Sequence, residues 1–306
     1  MSFDDRNVCF SGGDHVEVWM NHCNDKEARR RYAESMKTLA TDIWKNDDRT
    51  VWCYQTLKDY FFEGGLQRSI RRQWRKDRKQ ECPDEYINVL FEKLEKPLVL
   101  DVGSCYNPFK VYTDIDLLAI DLTPASDDVL QCDFLQLEVT NLSSKSLCRE
   151  CLRSPLLELP SESFHGVLFV LVLEYLPCTI QRWTFCTKAV RLLKSNGLLL
   201  IVTPDSKHQQ KNSAMVRSWK EALEYAGLCR IRYEKRHHLH CMAFRKKENA
   251  VQVQSVDNVE TSMYIPQDSR DYVQLTKEAV IVERSDIEDN ALRETFSQLP
   301  GGFVDA

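Results

Sequence analysis

The stretch from Lys96 to Pro108 reads KPLVLDVGSCYNP. Its apolar residues surround Asp101 and end at Gly103, a pattern typical of a buried parallel strand that runs into a tight turn. A second apolar run ends at Asp121, eighteen residues after Gly103, and a third acid, Asp133, follows it. A strand, a glycine turn and an acid about 20 residues later form the layout of a nucleoside site on an α/β sheet. The sequence therefore predicts a nucleoside ligand whose ribose hydroxyls bind the carboxylate of Asp121.

The residues of the turn indicate which nucleoside. Dinucleotide sites use G-x-G-x-x-G so that bare backbone reaches a pyrophosphate, but Gly103 is followed by SCYNP. The chain also lacks the Gly-Lys-Ser/Thr of a Walker loop. A ligand without phosphate fits better, and S-adenosylmethionine (SAM) combines a ribose, an adenine and a charged amino acid without one. The alternative is a buried strand that binds nothing, which Asp121 and Asp133 make less favourable because each closes a further apolar run.

Strand and helix patterns alternate through the rest of the middle region, which predicts an α/β fold with a doubly wound, class I methyltransferase-like (Rossmann-like) sheet. The predicted strands are Phe164–Leu173, Leu198–Val202, Cys229–Tyr233 and His240–Phe244, of which the last two form an antiparallel edge. The predicted helices are Arg182–Leu193, which stops at the C-cap signal Asn196-Gly197, and Met215–Ala226.

Composition sets the outer limits of the interpretation. The chain has 306 residues and a net charge of −5, and residues 246–306 carry twelve acids against six bases. We expect a flexible N-terminus over residues 1–25, a helical domain over 26–96, a SAM-binding domain over 97–247 and an acidic, flexible tail over 248–306. The twelve cysteines show no paired metal spacing, which indicates a reduced, cytoplasmic protein without a metal site. No signal peptide or membrane span is expected.

The N-terminal region predicts four helices. On the first, apolar residues from Tyr32 to Ile43 share one face, which we assign to the core. The third, from Leu66 to about Lys79, holds seven bases against one acid between Arg68 and Lys79. This basic helix is a solvated surface, a nucleic-acid contact, or a contact with an acidic partner or with the methionine carboxylate of SAM. In the last interpretation Arg68 and Arg72 clamp the carboxylate.

Several longer phrases carry a specific resemblance. They are VLDVGSC, CYNPF, AIDLTPA, CDFL, LLKSNGLLLIVTPDS and HHLHCMAFRK. From about Glu27 to Lys247 the chain resembles the family of SAM sensors that act upstream of the TOR kinase complex, which is related to fungal methyltransferases of large-subunit ribosomal RNA bases.

The resemblance implies a SAM-binding protein that reports methionine status. When ligand-free, such a protein associates with the GATOR and KICSTOR complexes and acts as a negative regulator of TOR signalling in nutrient sensing, and SAM weakens the association. Carried onto this chain, the resemblance assigns the ligand turn to Gly103, the ribose acid to Asp121 and the adenine contacts to Asp133 and to the backbone N–H of Phe134. It assigns the methionine contacts to the backbone at Val170 and Leu171.

Catalysis is an open question at the level of sequence. Many amino-methylating enzymes carry an Asn/Asp-Pro-Pro-aromatic motif after the fourth strand, where this chain has Glu174-Tyr175-Leu176-Pro177. Glu174 is a weak candidate for a general base. The alternative function is therefore a SAM-dependent transferase that methylates a ribosomal RNA adenine, and a third possibility is a scaffold with a vestigial site.

Overall fold

A mostly parallel sheet forms the centre of the computed structural model, which describes residues 15–43, 48–90, 96–141, 147, 151–205, 209–248, 259–266 and 268. Within these residues seven strands pair in the order β3-β2-β1-β6-β7-β9-β8, and β4 pairs with β5 separately. The strands are β1 Leu98–Val102, β2 Asp116–Asp121, β3 Leu130–Gln131, β4 Glu138–Thr140, β5 Glu158–Pro160, β6 Phe164–Val170, β7 Leu193–Pro204, β8 Leu228–Arg236 and β9 Leu239–Lys246. This order confirms the predicted doubly wound α/β sheet.

The register of the strands explains why the acids meet. β1 lies between β2 and β6 and is parallel to both, with Val102 opposite Ile120 on one side and Phe169 on the other. Because parallel strands end at the same edge of a sheet, the residues that follow Val102, Ile120 and Phe169 converge there. β8 and β9 pair antiparallel at the other end of the sheet, as predicted.

Helices cover both faces of the sheet. They are α1 His15–Asn24, α2 Lys26–Thr38 (continued by a π-helical turn over Leu39–Ile43), α3 Asp48–Phe61, α4 Gly65–Arg78, α5 Asp84–Leu90, α6 Thr179–Leu192 and α7 Gln209–Tyr225. α3 packs Trp52 and Leu57 into one core with Val99 and Leu168 of the sheet. α6 packs Phe185 into the core on the other face. The sheet is thus buried on both sides, as its continuous apolar strands predict.

One predicted helix end is wrong. The sequence predicts that this helix stops at Asn196-Gly197, but α6 ends at Leu192 and β7 already begins at Leu193. Leu193 is fully buried and pairs with Phe164, so it belongs to the sheet. Asn196 does adopt the left-handed conformation that a C-cap uses, with φ 63°, but it does so inside β7. There its side chain accepts a hydrogen bond from Arg245 at 2.6 Å.

Part of the predicted tail packs against the domain. A 3₁₀ turn over Val259–Met263 contacts α6 and α7, and Met263 and Ile265 are buried. The other domain boundaries stay predictions. In the described part of the chain, no helix is both long and apolar enough to cross a membrane.

Candidate functional site

A cavity of about 890 Å³ lies at the carboxyl edge of the sheet, where β1, β2, β3 and β6 end. The ends of these strands form its floor, and α1 and α2 contribute the opposite wall through residues such as Trp19, Arg29 and Tyr32. Most of the site residues predicted from the sequence come together here. Those that line the cavity are Gly103, Asp121, Asp133, Phe134, Val170, Leu171 and Glu174.

The turn after β1 requires a glycine. Gly103 has φ +78°, and a Cβ atom at this position would lie 2.6 Å from Cγ2 of Val172. Its N–H donates to the carbonyl of Ile120 at 2.9 Å, which ties the turn to the end of β2. Cys105 and Leu171 also have positive φ values, 58° and 56°, and both line the cavity. Strained backbone conformations persist only where the surrounding packing holds them, and they cluster at ligand sites.

Asp121 joins the two turns that border the cavity. Its carboxylate accepts the backbone N–H of Cys105 at 2.8 Å and that of Thr123 at 2.7 Å. Burial raises the pKa of Asp121, and these two N–H groups and the Arg29 guanidinium oppose the rise. A carboxylate has about four acceptor positions, and the two backbone N–H groups occupy two of them. The carboxylate of Asp121 can therefore still accept hydrogen bonds from the hydroxyl groups of a ligand.

The predicted adenine contacts lie in the loop after β3. Asp133 accepts from the indole N–H of Trp19 at 3.1 Å and from the backbone N–H of Leu135 at 2.9 Å. Phe134 is buried and packs edge-to-face against Phe185, with ring centroids 4.8 Å apart. From α6, the ammonium group of Lys188 donates to the carbonyl of Phe134 at 3.1 Å. Contacts from Phe185 and Lys188 of α6 therefore hold the loop in place. Asp133 and Phe134 of the same loop line the cavity.

A further acid in the cavity wall is Asp101, at the end of β1. Its side chain is buried, and burial raises its pKa to about 7, an effect that the nearby Ser104 hydroxyl opposes and the charge of Asp121 reinforces. Sequence reasoning used Asp101 only to define the strand. The apolar pattern of β1 does not show whether Asp101 is buried, because strands with one exposed face and strands buried on both faces can each contain one acid.

Glu174 lies in a 3₁₀ turn, Leu173–Tyr175, separated by two residues from the end of β6 at Val170. The neighbouring Tyr175 shares a hydrogen bond of 2.7 Å with the hydroxyl of Tyr32 on α2, so the two sides of the cavity touch at this point. This contact raises the pKa of Tyr32, although burial contributes more.

The sequence does not show which residues of α1 and α2 line the cavity. The helical spacing predicts a core face for α2 and its π-helical continuation, but Tyr32, Met36 and Ala40 line the cavity, and Tyr32 remains 40% exposed. A cavity wall needs apolar residues at the same helical spacing as a core, so the pattern does not distinguish the two. Trp19 and Arg29 gave no sequence signal at all.

The predicted carboxylate clamp is not at this site. Arg68 and Arg72 lie on α4 and are exposed, and Arg68 pairs with Asp59. α4 contacts β9 instead, where Nε of Arg245 donates to Ser69 at 3.1 Å. This contact lies beside the amino-terminal end of β7, at the opposite edge of the sheet from the cavity. The arginines that do line the cavity are Arg29 and Arg49.

Comparison with known proteins identifies relatives of this chain. Over 94% of its length the chain is 37% identical to the "S-adenosylmethionine sensor upstream of mTORC1" of Xenopus tropicalis, and it covers 78% of that protein. It is 36% identical to the protein of the same description in Danio rerio, with 94% of this chain and 79% of the relative covered. The chain belongs to the family of S-adenosylmethionine sensors upstream of mTORC1. A scan against protein-family profiles finds no match.

The solved structure of one methyltransferase resembles the chain distantly. A Burkholderia thailandensis 1,6-didemethyltoxoflavin-N1-methyltransferase with bound S-adenosylhomocysteine covers 65% of this chain and 86% of its own, at 15% identity and a TM-score of 0.37. A similarity at this level supports no inference about the chain, and the fold class follows from the sheet order itself.

Proposed function

We propose that this chain binds SAM in the carboxyl-edge cavity and acts as a SAM sensor. The observation that carries the proposal is the convergence of Asp101, Asp121 and Asp133 with Phe134 on one cavity beside a turn that has a single glycine. This set suits a nucleoside without phosphate, since acids would repel a phosphate and accept hydrogen bonds from hydroxyl and amino groups. Family membership supports the same ligand.

Each residue has a role in this proposal. Asp121 accepts from the ribose hydroxyls, Asp133 accepts from the adenine amino group, and the backbone N–H of Phe134 donates to the adenine ring. The turn at Gly103 and the backbone at Val170 and Leu171 border the methionine portion. The aromatic rings around Phe134 provide the apolar surface that a base requires.

The second part of the proposal concerns signalling. In its ligand-free form the chain associates with GATOR- and KICSTOR-type complexes in the cytoplasm and restrains TOR signalling, and SAM weakens this association. A ligand can shift such an equilibrium only by its different affinity for the free and the partner-bound protein. Since α1 and α2 form one wall of the cavity and also face outward, SAM has a physical route to a partner surface through them.

The test is a pull-down of GATOR and KICSTOR subunits with and without SAM. We expect SAM to release the wild-type protein and to have no effect on Asp121→Ala, because that variant loses the ribose acid. Asp116→Ala is the matched control, since Asp116 begins the same strand that Asp121 ends. Release of Asp121→Ala by SAM as readily as wild type would show that the site assignment is wrong. Absence of wild-type binding to either complex would refute the partner assignment alone.

The second candidate function is methylation of a ribosomal RNA adenine. The position of Glu174 favours it, because this carboxyl group lines the same cavity, four residues after β6 ends at Val170. Transfer of labelled methyl groups from SAM to total RNA, lost in Glu174→Gln, would support this function. No transfer together with normal SAM binding would leave the sensor as the better account.

A further inference from the structure

The helix α4 carries six basic residues against one acid, Asp77. Three of its arginines pair with carboxylates at the margin of the helix: Arg68 with Asp59, Arg71 with Asp84 and Arg75 with Glu81. A fourth, Arg78, lies over the ring of Trp74, 3.7 Å from the ring centroid. Arg72 and Lys76 are exposed and make no ion pair or hydrogen bond with a described residue. These two cations are therefore available to a partner.

The charges of α4 are not arranged as on an ordinary solvated helix. An acid and a base three or four residues apart stabilise a helix, whereas like charges four residues apart repel each other. The exposed side of α2 has the stabilising pattern, with Arg30 paired to Glu27 at 3.1 Å. On α4 the three bases Arg68, Arg72 and Lys76 follow one another at four-residue spacing. We call these three residues the basic ridge. Their mutual repulsion is relieved when an anionic partner binds.

The surroundings of the basic ridge do not favour RNA as that partner. Proteins that bind single-stranded RNA combine basic residues with aromatic rings on which the bases stack. The aromatic residue of α4 is Trp74, but Arg78 covers its ring and Tyr86 packs beside it, with ring centroids 4.9 Å apart. The ridge also lies at the opposite edge of the sheet from the cavity, so RNA bound there would not bring a base to the cavity.

A membrane surface is not favoured either. A helix that binds a bilayer inserts its apolar face between the lipids. The apolar face of α4 is already used inside the protein, where Ile70 is buried in a cluster with Cys82 and Ile87. What α4 presents to the outside is therefore charge alone, and the carboxylates of Asp59 and Asp84 beside it can pair with bases on a protein but would repel phosphate groups.

We propose that the basic ridge is the docking surface for an acidic helix of a protein partner. A helix rises about 6 Å in four residues, so carboxylates one turn apart on the partner match the spacing of Arg68, Arg72 and Lys76. The guanidinium of Arg72 can bind a carboxylate through two parallel hydrogen bonds. The inference rests on the signalling part of the proposed function and adds a second contact to it. SAM acts on the partner through α1 and α2, and the ridge, at the opposite edge of the sheet, supplies affinity that SAM does not alter.

The test measures capture of the partner complexes of the proposed function by the wild-type chain and by Arg72→Glu/Lys76→Glu, the ridge variant. We expect the ridge variant to bind them about tenfold more weakly without SAM, because two ion pairs are lost and repulsion replaces them. The difference should shrink as the salt concentration is raised. Calorimetric titration should give the wild-type affinity for SAM, which also shows that the variant is folded. If it does not fold, Arg72→Gln/Lys76→Gln removes the same charges without reversing them.

The matched control is Arg217→Glu/Lys220→Glu, which reverses two charges on α7 and should keep wild-type capture. α7 packs Trp219 into the core that contains Phe185, on the opposite face of the sheet from α3. Capture by the ridge variant as strong as by the wild type overturns the inference, and loss of binding to a single-stranded RNA oligonucleotide in that variant would then assign the ridge to nucleic acid. Failure of the wild type to capture either complex refutes the partner assignment of the proposed function, and this inference with it, and so is a different result.

Discussion

At the scale of single residues, the strained backbone beside the cavity can be tested by mutation. Gly103 combines a positive φ with a Cβ position that Val172 already occupies. We expect Gly103→Ala to lower the free energy of unfolding by about 1–3 kcal/mol and to weaken SAM binding, because Val172 and the turn must move apart. Chemical denaturation and SAM titration measure the two effects separately.

The matched control is Gly64→Ala. Gly64 has a similar φ of +82°, but a Cβ atom there meets only the ends of two long side chains, Gln67 and Arg68, at 3.2 and 3.3 Å. It should cost stability without any change in SAM affinity. Equal loss of SAM affinity in both variants would mean that the Gly103 turn has no particular relation to the ligand.

Asp101 makes stability depend on pH. Burial raises its pKa from 3.8 to about 7, so the folded chain keeps this proton over a range in which the unfolded chain has lost it. The folded state then binds more protons, and the free energy of unfolding falls as pH rises from about 4 to about 7. Asp101→Asn removes this contribution. The stability of the variant relative to wild type should therefore rise by on the order of 4 kcal/mol across that range, as measured by denaturation at a series of pH values. Parallel pH curves would contradict the assignment.

The cavity residues that the sequence predicts differ from those that it does not predict in their position relative to the strands. Gly103, Asp121 and Asp133 could be predicted because each follows an apolar strand, and parallel strands bring their ends together. Arg29 could not, since it stands in the run ARRRY beside Arg30 and Arg31, which stay exposed. Only the packing of α2 on the loop after β2 distinguishes one arginine of the three.

At the scale of elements, the position of α4 decides what its basic residues can do. It lies at the opposite edge of the sheet from the cavity. We therefore expect Arg68→Ala and Arg72→Ala to leave SAM affinity unchanged in a calorimetric titration. A clear loss of affinity in Arg72→Ala would restore the clamp hypothesis that the structure does not support.

The boundary between α6 and β7 shows that a local C-cap signal does not always mark the end of a helix. Asn196-Gly197 is a valid left-handed signal, and Asn196 does have a positive φ. Leu193 nevertheless lies in β7, where it is buried and pairs with Phe164. Because of this pairing the helix ends at Leu192. Pairing of distant strands decided the boundary, and a single sequence does not contain that information.

At the scale of the whole molecule, a buried ion pair fastens the C-terminal described segment to the domain. Arg182 on α6 pairs with Asp268, and their side chains are 1% and 9% exposed. The same guanidinium donates to the carbonyls of Leu176 at 2.9 Å and Met263 at 3.0 Å, so it joins this segment to the turn beside the cavity. Asp268→Ala leaves the arginine charge buried without its counter-ion. It should lower the free energy of unfolding by about 3–5 kcal/mol in chemical denaturation.

Glu81→Ala is the control for that prediction, because the Arg75–Glu81 pair is 61% and 71% exposed. Removing an exposed pair should change stability by no more than about 1 kcal/mol. If both variants lost the same small amount, Arg182 would not hold the C-terminal segment in the way the contacts indicate.

The most direct test of the central claim is calorimetric titration of SAM into the wild-type chain and into Asp121→Ala. A sensor must be half occupied near the ligand level of the cell, and a micromolar dissociation constant corresponds to about −8 kcal/mol. We predict saturable binding of one SAM per chain in this range for the wild type and no measurable heat of binding for Asp121→Ala. Binding of equal strength in both proteins, or no binding in either, would contradict the account.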